Sequence, residues 1–236
     1  MTTEPLPLYS AIPLQPSVSS RSRDLIELVL GYGMIVGVIW CPEHIQAVLS
    51  PFVLLFTLWI VLRRKPSRDE LGVGLRGLAA SFWVLPAAIV LTLLSVFIAG
   101  RLGTLHPLYK GDFKHIAGYV LWTVYQQFLL QNYFMDRLLR LGWSQTNAVI
   151  FAGTLFAVAH LPSPYLTAAT LVWGIVSCAL FRRYRNLWVL GLAQGLLGLC
   201  FAMVVPDVLH HHLRVGLGYL RYSPAPLSPA ATALKP

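Results

Sequence analysis

The stretch GLAASFWVLPAAIVLTLLSVFIA at residues 77–99 decides the fold class, because it is long, apolar and free of charged side chains. A helix crosses the hydrocarbon core of a bilayer with about 20 mostly apolar residues. The whole chain has the same bias, with 56% hydrophobic and 11% charged residues, against about 45–50% and about 25% in ordinary soluble domains. The sequence therefore predicts an all-α, polytopic helical membrane protein.

Other segments of the chain share this length and composition. We predict about seven transmembrane helices, within a range of six to eight, at residues 25–41, 45–62, 77–99, 116–134, 147–161, 165–181 and 187–205. The chain then divides into a disordered tail at 1–24, a helical membrane domain at 25–205, and an interfacial helix with a disordered tail at 206–236.

Basic residues outnumber acidic ones by 18 to 9 and cluster between the apolar segments. Such clusters set the topology of membrane proteins, because lysine and arginine are enriched in cytoplasmic loops. If all seven segments cross, most of these residues share the side of the N-terminus: Arg21, Arg23, the basic residues at 63–76, Arg137, Arg140 and those at 182–185. We therefore predict a multi-pass integral membrane protein with a cytoplasmic N-terminus and the lipid bilayer, not nucleic acid, as its partner.

Polar side chains inside three predicted spans are the informative residues, since each needs a partner or a water-filled cavity. The fourth span carries Gln126, Gln127 and Gln131, the fifth ends at His160, and the seventh holds Gln194. Residues four apart, such as Gln127 and Gln131, share one face of a helix. If the three helices meet, the side chains line one polar pocket. The alternative is that they only join helices by hydrogen bonds.

At these residues the sequence resembles the CPBP family, also called the Abi family, of CAAX-protease and bacteriocin-processing intramembrane endopeptidases. The resemblance covers about residues 116–200. The family's Glu-Glu-x-x-x-Arg, Phe-x-x-x-His and His-x-x-x-Asn motifs fall, in this order, on Gln126, Gln127 and Gln131, on Phe156 and His160, and on Gln194 and Gly198. The chain is thus similar to a divergent member that lacks the Glu-Glu-x-x-x-Arg motif and the second histidine.

The resemblance implies a glutamate-activated water that attacks a peptide bond, with the help of histidines, in a lipidated or membrane-embedded peptide. It assigns Phe156 to substrate binding and leaves His160 as the candidate catalytic residue. A general base must accept a proton, which the amides at 126, 127, 131 and 194 cannot do at neutral pH. The would-be anions and cations of the motifs have all become neutral amides. We therefore expect reduced or lost proteolytic activity and leave open whether the protein is an enzyme.

Two carboxylates are candidates for a replacement base. Glu27 lies near the start of the first span and is predicted to be interfacial, whereas Asp136 follows the fourth span and is predicted to be a solvated loop charge. The cofactor is undetermined. One histidine among the motif positions does not complete a metal site, and the consecutive residues His210, His211 and His212 point in different directions on a helix.

Three functions therefore compete. The first is a CAAX-prenyl-endopeptidase-like intramembrane protease with His160 as the surviving catalytic group. The second is a noncatalytic membrane scaffold, or pseudoenzyme, whose cavity binds such a peptide without cutting it. The third, a transporter, is less favoured, because the spans contain few charges and no visible repeat.

Overall fold

The computed structural model describes residues 18–109 and 111–223, which fold into packed α-helices. The prediction of an all-α polytopic membrane protein is confirmed. Within the described residues, 4 helices are long and apolar enough to cross a membrane, namely Glu43–Leu62, Leu78–Leu102, Pro164–Tyr184 and Leu187–Val204, and Gln145–Val158 is a shorter apolar helix.

The elements follow in chain order as α1 (Val18–Ile39), α2 (Glu43–Leu62), α3 (Arg68–Leu71), α4 (Leu78–Ser81), α5 (Val84–Leu102), α6 (Phe113–Phe128), a π-helical segment (Leu129–Met135), α7 (Asp136–Arg140), α8 (Gln145–Val158), α9 (Pro164–Tyr184), α10 (Leu187–Val204), α11 (Asp207–His210) and α12 (Gly216–Leu220). The third predicted span thus consists of α4 and α5, and the fourth of α6, the π-helical segment and α7.

The first helix starts earlier than the sequence predicted. It begins at Val18, so residues 18–24 are helical and the prediction of a disordered tail is wrong for them. The physical reason is an ion pair. Asp24 is only 3% exposed and pairs with Arg64, so this polar stretch is attached to the residues that follow α2. The other predicted tail residues, 1–17 and 224–236, lie outside the described residues.

The helix that carries three of the glutamines contains a π-helical segment. All residues from Leu129 to Met135 are buried, which places this segment in the core of the fold. The segment packs against both α8 and α9. π-helical turns are rare in proteins, and those that occur are often found at functional sites.

Glycines let α10 approach α6 closely. A Cβ atom on Gly191 would lie 2.5 Å from Val124 Cγ2, and one on Gly195 would lie 3.1 Å from Val120 Cγ2. The hydroxyl of Thr123 uses this proximity to donate a hydrogen bond to the Gly191 carbonyl, at 2.9 Å. Small residues allow such close packing between membrane helices, where the hydrophobic effect gives no driving force.

A second glycine contact joins α8 to α9. A Cβ atom on Gly174 would lie 3.0 Å from the Cα atom of Gly153, so a larger residue at either position would push the two backbones apart. The π-helical segment and α10 also contact α9. The α6–π segment, α8, α9 and α10 therefore surround the polar residues of the predicted spans.

The predicted basic loops gather at one end of the helices. Arg185, after α9, donates to the carbonyl of Glu70, and the Leu187 amide donates to the Gly72 carbonyl at 2.8 Å. Arg63 and Arg64, at the end of α2, pair with acidic residues of α1. These contacts place the start of α1, the end of α2, the α3 loop and the α9–α10 loop together.

A charge cluster lies at this end and consists of the buried residues Asp24, Glu27 and Arg137 and the partly exposed residues Arg63, Arg64 and Arg140. Glu27 is 5% exposed, so it is buried against other side chains, and its position at the membrane interface stays a prediction. Arg137 donates to Glu27 Oε2 through Nε at 3.3 Å and Nη2 at 3.1 Å. Glu27 is buried because several guanidinium groups balance its charge.

Asp136 differs from Glu27 in its exposure. Its side chain is 44% exposed and lies 2.7 Å from Arg140 Nη2. It belongs to α7 and not to a loop, which corrects the predicted local structure, while its exposure is that of a solvated charge.

Candidate functional site

The four glutamines of the motif positions form one chain of hydrogen bonds, which we call the amide chain. Gln131 Nε2 donates to Gln127 Oε1 at 3.0 Å, and Gln127 Nε2 donates to Gln194 Oε1 at 2.6 Å. Gln194 Nε2 then donates to Gln126 Oε1 at 2.6 Å. The amide chain therefore joins α6 and the π-helical segment to α10.

The indole of Trp173 fixes the direction of the amide chain. Its Nε1 atom lies 3.1 Å from Gln194 Oε1, and an indole N–H can only donate. Gln194 must therefore present its oxygen to Trp173 and its nitrogen to Gln126. Because each amide donates to the next, this one contact determines the orientation of all four glutamines.

His160 lies just after α8 and is held by its own helix. Its Nδ1 atom is 2.7 Å from the Phe156 carbonyl oxygen, and the carbonyl can only accept. The Phe156 ring meets the imidazole edge-on, with centroids 4.8 Å apart. In the neutral ring Nδ1 carries the proton, and Nε2 is left as an acceptor. In the described part of the chain no hydrogen bond joins His160 to the amide chain.

A cavity of about 750 Å³ brings His160 and part of the amide chain onto one surface. Gln126, Gln194, Phe156 and His160 all line it. Gln127 and Gln131 do not, since they are 0% and 1% exposed and lie behind the cavity wall. The structure thus divides the predicted site residues into a lining group and a buried supporting pair.

The third motif departs from the family pattern at Gly198 as well as at Gln194. A Cβ atom on Gly198 would collide with the hydroxyl oxygen of Tyr119. Tyr119 also lines the cavity. The phenol therefore fills the space that a side chain at position 198 would need, so this chain could not hold an asparagine there without moving Tyr119.

The candidate replacement bases lie elsewhere. Glu27 and Asp136 belong to α1 and α7 and are held by arginines, and neither lines the cavity. Among the described residues that line the cavity, none is acidic, and His160 carries the one imidazole, in addition to the thiol of Cys200. Tyrosines 32 and 119 also line it, but a phenol titrates near pH 10 in water.

The histidines of the C-terminal turn do not converge on one point. His210 Nε2 lies 2.9 Å from the Val205 carbonyl oxygen, and His211 Nδ1 lies 3.0 Å from that of Tyr219. His212 Nδ1 instead lies 2.5 Å from Asp207 Oδ1. Among the described residues, no group of three or more histidine, cysteine, aspartate or glutamate side chains is arranged to hold a metal ion.

Sequence reasoning missed Trp173 and Tyr119. The signal for Trp173 was its position in the middle of α9, since tryptophans in membrane proteins concentrate at the two interfaces. A tryptophan at mid-span needs a buried acceptor for its N–H group, and Gln194 provides it. No sequence feature singled out Tyr119, because its role follows from the missing side chain at Gly198.

One family model matches part of the chain. Residues 113–200 match the family model described as type II CAAX prenyl endopeptidase Rce1-like. No curated protein and no solved structure matches the chain. The matched residues span α6, the π-helical segment, α7, α8, α9 and most of α10, which are the elements that carry the amide chain and His160. This part of the chain is therefore similar to the Rce1-like type II CAAX prenyl endopeptidases.

Proposed function

We propose that this protein is a CAAX-prenyl-endopeptidase-like membrane protein that binds a lipidated or membrane-embedded peptide in its cavity and has reduced or lost proteolytic activity. The observation that carries the proposal is the amide chain. Four neutral amides, joined to one another and to Trp173 by hydrogen bonds, stand at positions where the resemblance places charged residues of the family.

The chemistry of the cavity supports weak or absent proteolysis. Attack on a peptide bond by water needs a group that takes the proton of the water. The lining offers the imidazole of His160 for this task, and Gln126 can hold a water but cannot deprotonate it. A single imidazole without an adjacent carboxylate is a poorer arrangement than the family motif implies.

The scaffold function is favoured by the hydrogen bonds that hold Gln194 to the protein. Gln194 makes three hydrogen bonds, to Gln126, Gln127 and Trp173. A water-activating residue must instead turn its polar atoms toward the reacting group. The amide chain stabilises the wall of the cavity, and the cavity keeps a volume of about 750 Å³ for a ligand.

The orientation of the bound peptide depends on the topology of the chain. The gathering of the basic loops at one end supports a cytoplasmic location for that end, by the preference of arginine and lysine for the cytoplasmic side. We place the N-terminus there. The His160 end of the cavity, where the Gly216 amide bonds the Leu161 carbonyl at 2.7 Å, then faces the opposite side.

The decisive experiment is peptide cleavage in reconstituted membranes. The natural chain is compared with His160→Ala and with a restored variant that carries Gln126→Glu, Gln127→Glu, Gln131→Arg and Gln194→His. An active peptidase of the family serves as the positive control. We expect the control to cut, the natural chain to cut weakly or not at all, and crosslinking from residue 160 to capture a membrane-embedded peptide.

Each outcome has a definite meaning. Efficient cleavage by the natural chain that is abolished in His160→Ala would refute the loss of activity and make His160 a catalytic residue. Efficient cleavage that persists in His160→Ala would refute any role of His160. Failure of the crosslinker to capture any peptide would refute the scaffold function.

A further inference from the structure

The chain contributes to the cavity wall a second time after the end of α10. Residues 206–222, which we call the C-terminal strap, contain α11, a left-handed turn and α12. Leu213 and Val215 of the strap line the cavity, as His160 does. The family match ends at residue 200, so this part of the wall lies outside the matched region.

The strap is attached to three other helix ends. The Gly216 amide donates to the Leu161 carbonyl at 2.7 Å, and Arg214 Nη1 donates to Glu43 Oε1 at 3.1 Å. A Cβ atom on Gly216 would collide with the carbonyl oxygen of Ile39, so the two backbones are in contact. The strap therefore extends from the end of α10 to the α8–α9 loop, the start of α2 and the end of α1.

The turn inside the strap has an unfavourable backbone conformation. His211, His212 and Leu213 have φ values of 51°, 56° and 59°, in the left-handed region that residues with a Cβ atom rarely adopt. Two side chains accept hydrogen bonds from this turn. The His212 amide donates to Asp207 Oδ1 at 2.8 Å, and the Leu213 amide donates to His210 Nδ1 at 3.1 Å. These two acceptors therefore help to hold Leu213 in the cavity wall.

His210 can act as such an acceptor only in its neutral form. Its Nε2 atom lies 2.9 Å from the Val205 carbonyl oxygen, which can only accept, so Nε2 carries the proton and Nδ1 the lone pair. A second proton would bind at Nδ1, which would then face the Leu213 amide as one donor facing another. His210 is 1% exposed, so water cannot replace the lost bond unless the turn moves.

The titratable groups around His210 add to this effect. Asp207 Oδ1 lies 3.8 Å from His210 Nδ1 and 2.5 Å from His212 Nδ1, and the other oxygen of Asp207 accepts from the Tyr222 hydroxyl. The His106 ring, from the loop before α6, stacks on His210 with centroids 6.3 Å apart. A protonated His210 would therefore compete with His212 for Asp207 and would repel a protonated His106.

We propose that the C-terminal strap is a lid on the cavity and that protonation of His210 opens it. The neutral ring holds the left-handed turn, and the turn keeps Leu213 in the cavity wall. In acid, loss of the Leu213 bond and competition for Asp207 release the turn, and water enters this end of the cavity. This inference goes beyond the proposed function, since it concerns access to the cavity and not the ligand that the cavity holds.

A native cysteine can report on the opening. Cys200 lines the cavity, and its modification by a charged methanethiosulfonate, which does not enter the bilayer, is followed by peptide mass spectrometry with the full chain in lipid nanodiscs. Burial lowers the pKa of His210 below its ordinary value of 6.5, so the test compares pH 7.5 with pH 5. Each rate is divided by that of free cysteine at the same pH. We expect this corrected rate to rise about tenfold in acid, the factor for one lost hydrogen bond to a buried group.

Substitutions at His210 test the switch. His210→Gln takes up no proton, and we expect a slow corrected rate at both pH values. The matched control is His44→Gln, because His44 is an exposed residue of α2, and it should keep the rise in acid. If the turn fails to form in His210→Gln and the rate is fast at both pH values, His210→Asn should restore the slow rate, since its side-chain oxygen can stand at the position of Nδ1.

A tether tests the lid separately from the switch. Glu43→Cys and Arg214→Cys are joined by a short bismaleimide in a chain that also carries Cys41→Ser, which fixes the strap to α2 at the site of their ion pair. The tethered chain should react slowly at both pH values. The same chain before crosslinking is the control, and it should react faster in acid.

Three outcomes would overturn the inference. The first is a corrected rate in the natural chain that is the same at both pH values. The second is a rise in acid that persists in His210→Gln, which would assign the opening to another group. The third is a rise that persists in the tethered chain, which would show that the reagent enters by a route other than the strap. All three leave peptide binding, and with it the proposed function, intact.

Discussion

The charge cluster and the amide chain are two buried polar networks of the same protein, built by opposite means. The first joins α1, α2 and α7 through ion pairs of Glu27 and Asp24 with arginines. The second joins α6, the π-helical segment and α10 through neutral amides. Both contain buried polar groups, but only the first contains charges.

The difference teaches where this chain can bury a charge. The charge cluster lies at the end of the helices where the basic loops gather, so several partners surround each carboxylate. The amide chain lies against a cavity whose described lining is uncharged. A charge at that place would need a partner in the same network, and replacing all charged motif positions by amides removes this need.

The largest expected effect comes from breaking the charge cluster. Glu27→Gln leaves the fully buried guanidinium of Arg137 without its carboxylate. We expect the free energy of unfolding in detergent micelles to fall by about 3–5 kcal/mol, the cost of removing one partner of a buried ion pair. Asp136→Asn is the control, because its exposed pair with Arg140 contributes about 0.2–1 kcal/mol. A loss under 1 kcal/mol in Glu27→Gln would mean that the cluster is not a stabilising network.

A smaller effect is expected from breaking the amide chain. Gln127→Leu removes the hydrogen bonds to Gln131 and Gln194 but leaves no unpaired charge. The expected loss in the free energy of unfolding is about 1–3 kcal/mol, the range for buried polar groups left without partners. Thr154→Val is the control, because its hydroxyl bonds only the Ile150 carbonyl of its own helix. If the two substitutions have equal effects, the amide chain adds nothing to helix association.

The smallest effect concerns His210, a buried titratable group outside the spans. Burial lowers the pKa of His210 below its ordinary value of 6.5 and outweighs the opposite effects of the Val205 carbonyl and Asp207. The unfolded chain therefore binds the proton first as the pH falls. The stability from neutral His210 is complete above about pH 6.5 and declines as the pH falls through the folded pKa, by about 1.4 kcal/mol for each unit of pKa difference.

Hydrogen exchange measures this effect at one amide. The Leu213 amide donates to His210 Nδ1 at 3.1 Å, a bond that protonation of Nδ1 abolishes. After correction for the intrinsic rate, its exchange should be faster at pH 5.5 than at pH 7.5. His210→Gln should remove this dependence, whereas His44→Gln should retain it. A dependence that survives in His210→Gln would assign it to another group.

Sequence reasoning could predict the helices and the shared helix face of Gln127 and Gln131. Both depend on local quantities, since apolar length predicts a span and a spacing of four places Gln127 and Gln131 on one face. The sequence also separated Asp136 from the polar cavity residues. It could predict which residues need partners, because every polar side chain in a span does.

The remainder depends on contacts between distant parts of the chain. The start of α1 at Val18 was missed because the polar residues before Leu25 have their partners in α2 and α7. The burial of Glu27 was missed for the same reason. The orientation of the amide chain depends on Trp173, which lies on a helix that no motif singled out.

The π-helical segment also sets the direction in which Arg137 points around the helix axis relative to Gln127. Gln127 lies before the segment and bonds α10, whereas Arg137 lies after it and bonds α1. Removing one residue from an α-helix turns everything beyond it by about 100°, so a shorter segment would aim Arg137 away from Glu27 while Gln127 still faced Gln194. The length of residues 129–135 therefore sets the angle between the directions of Gln127 and Arg137. After a single deletion in this segment, the helix could keep the bonds of the charge cluster or those of the amide chain, but not both.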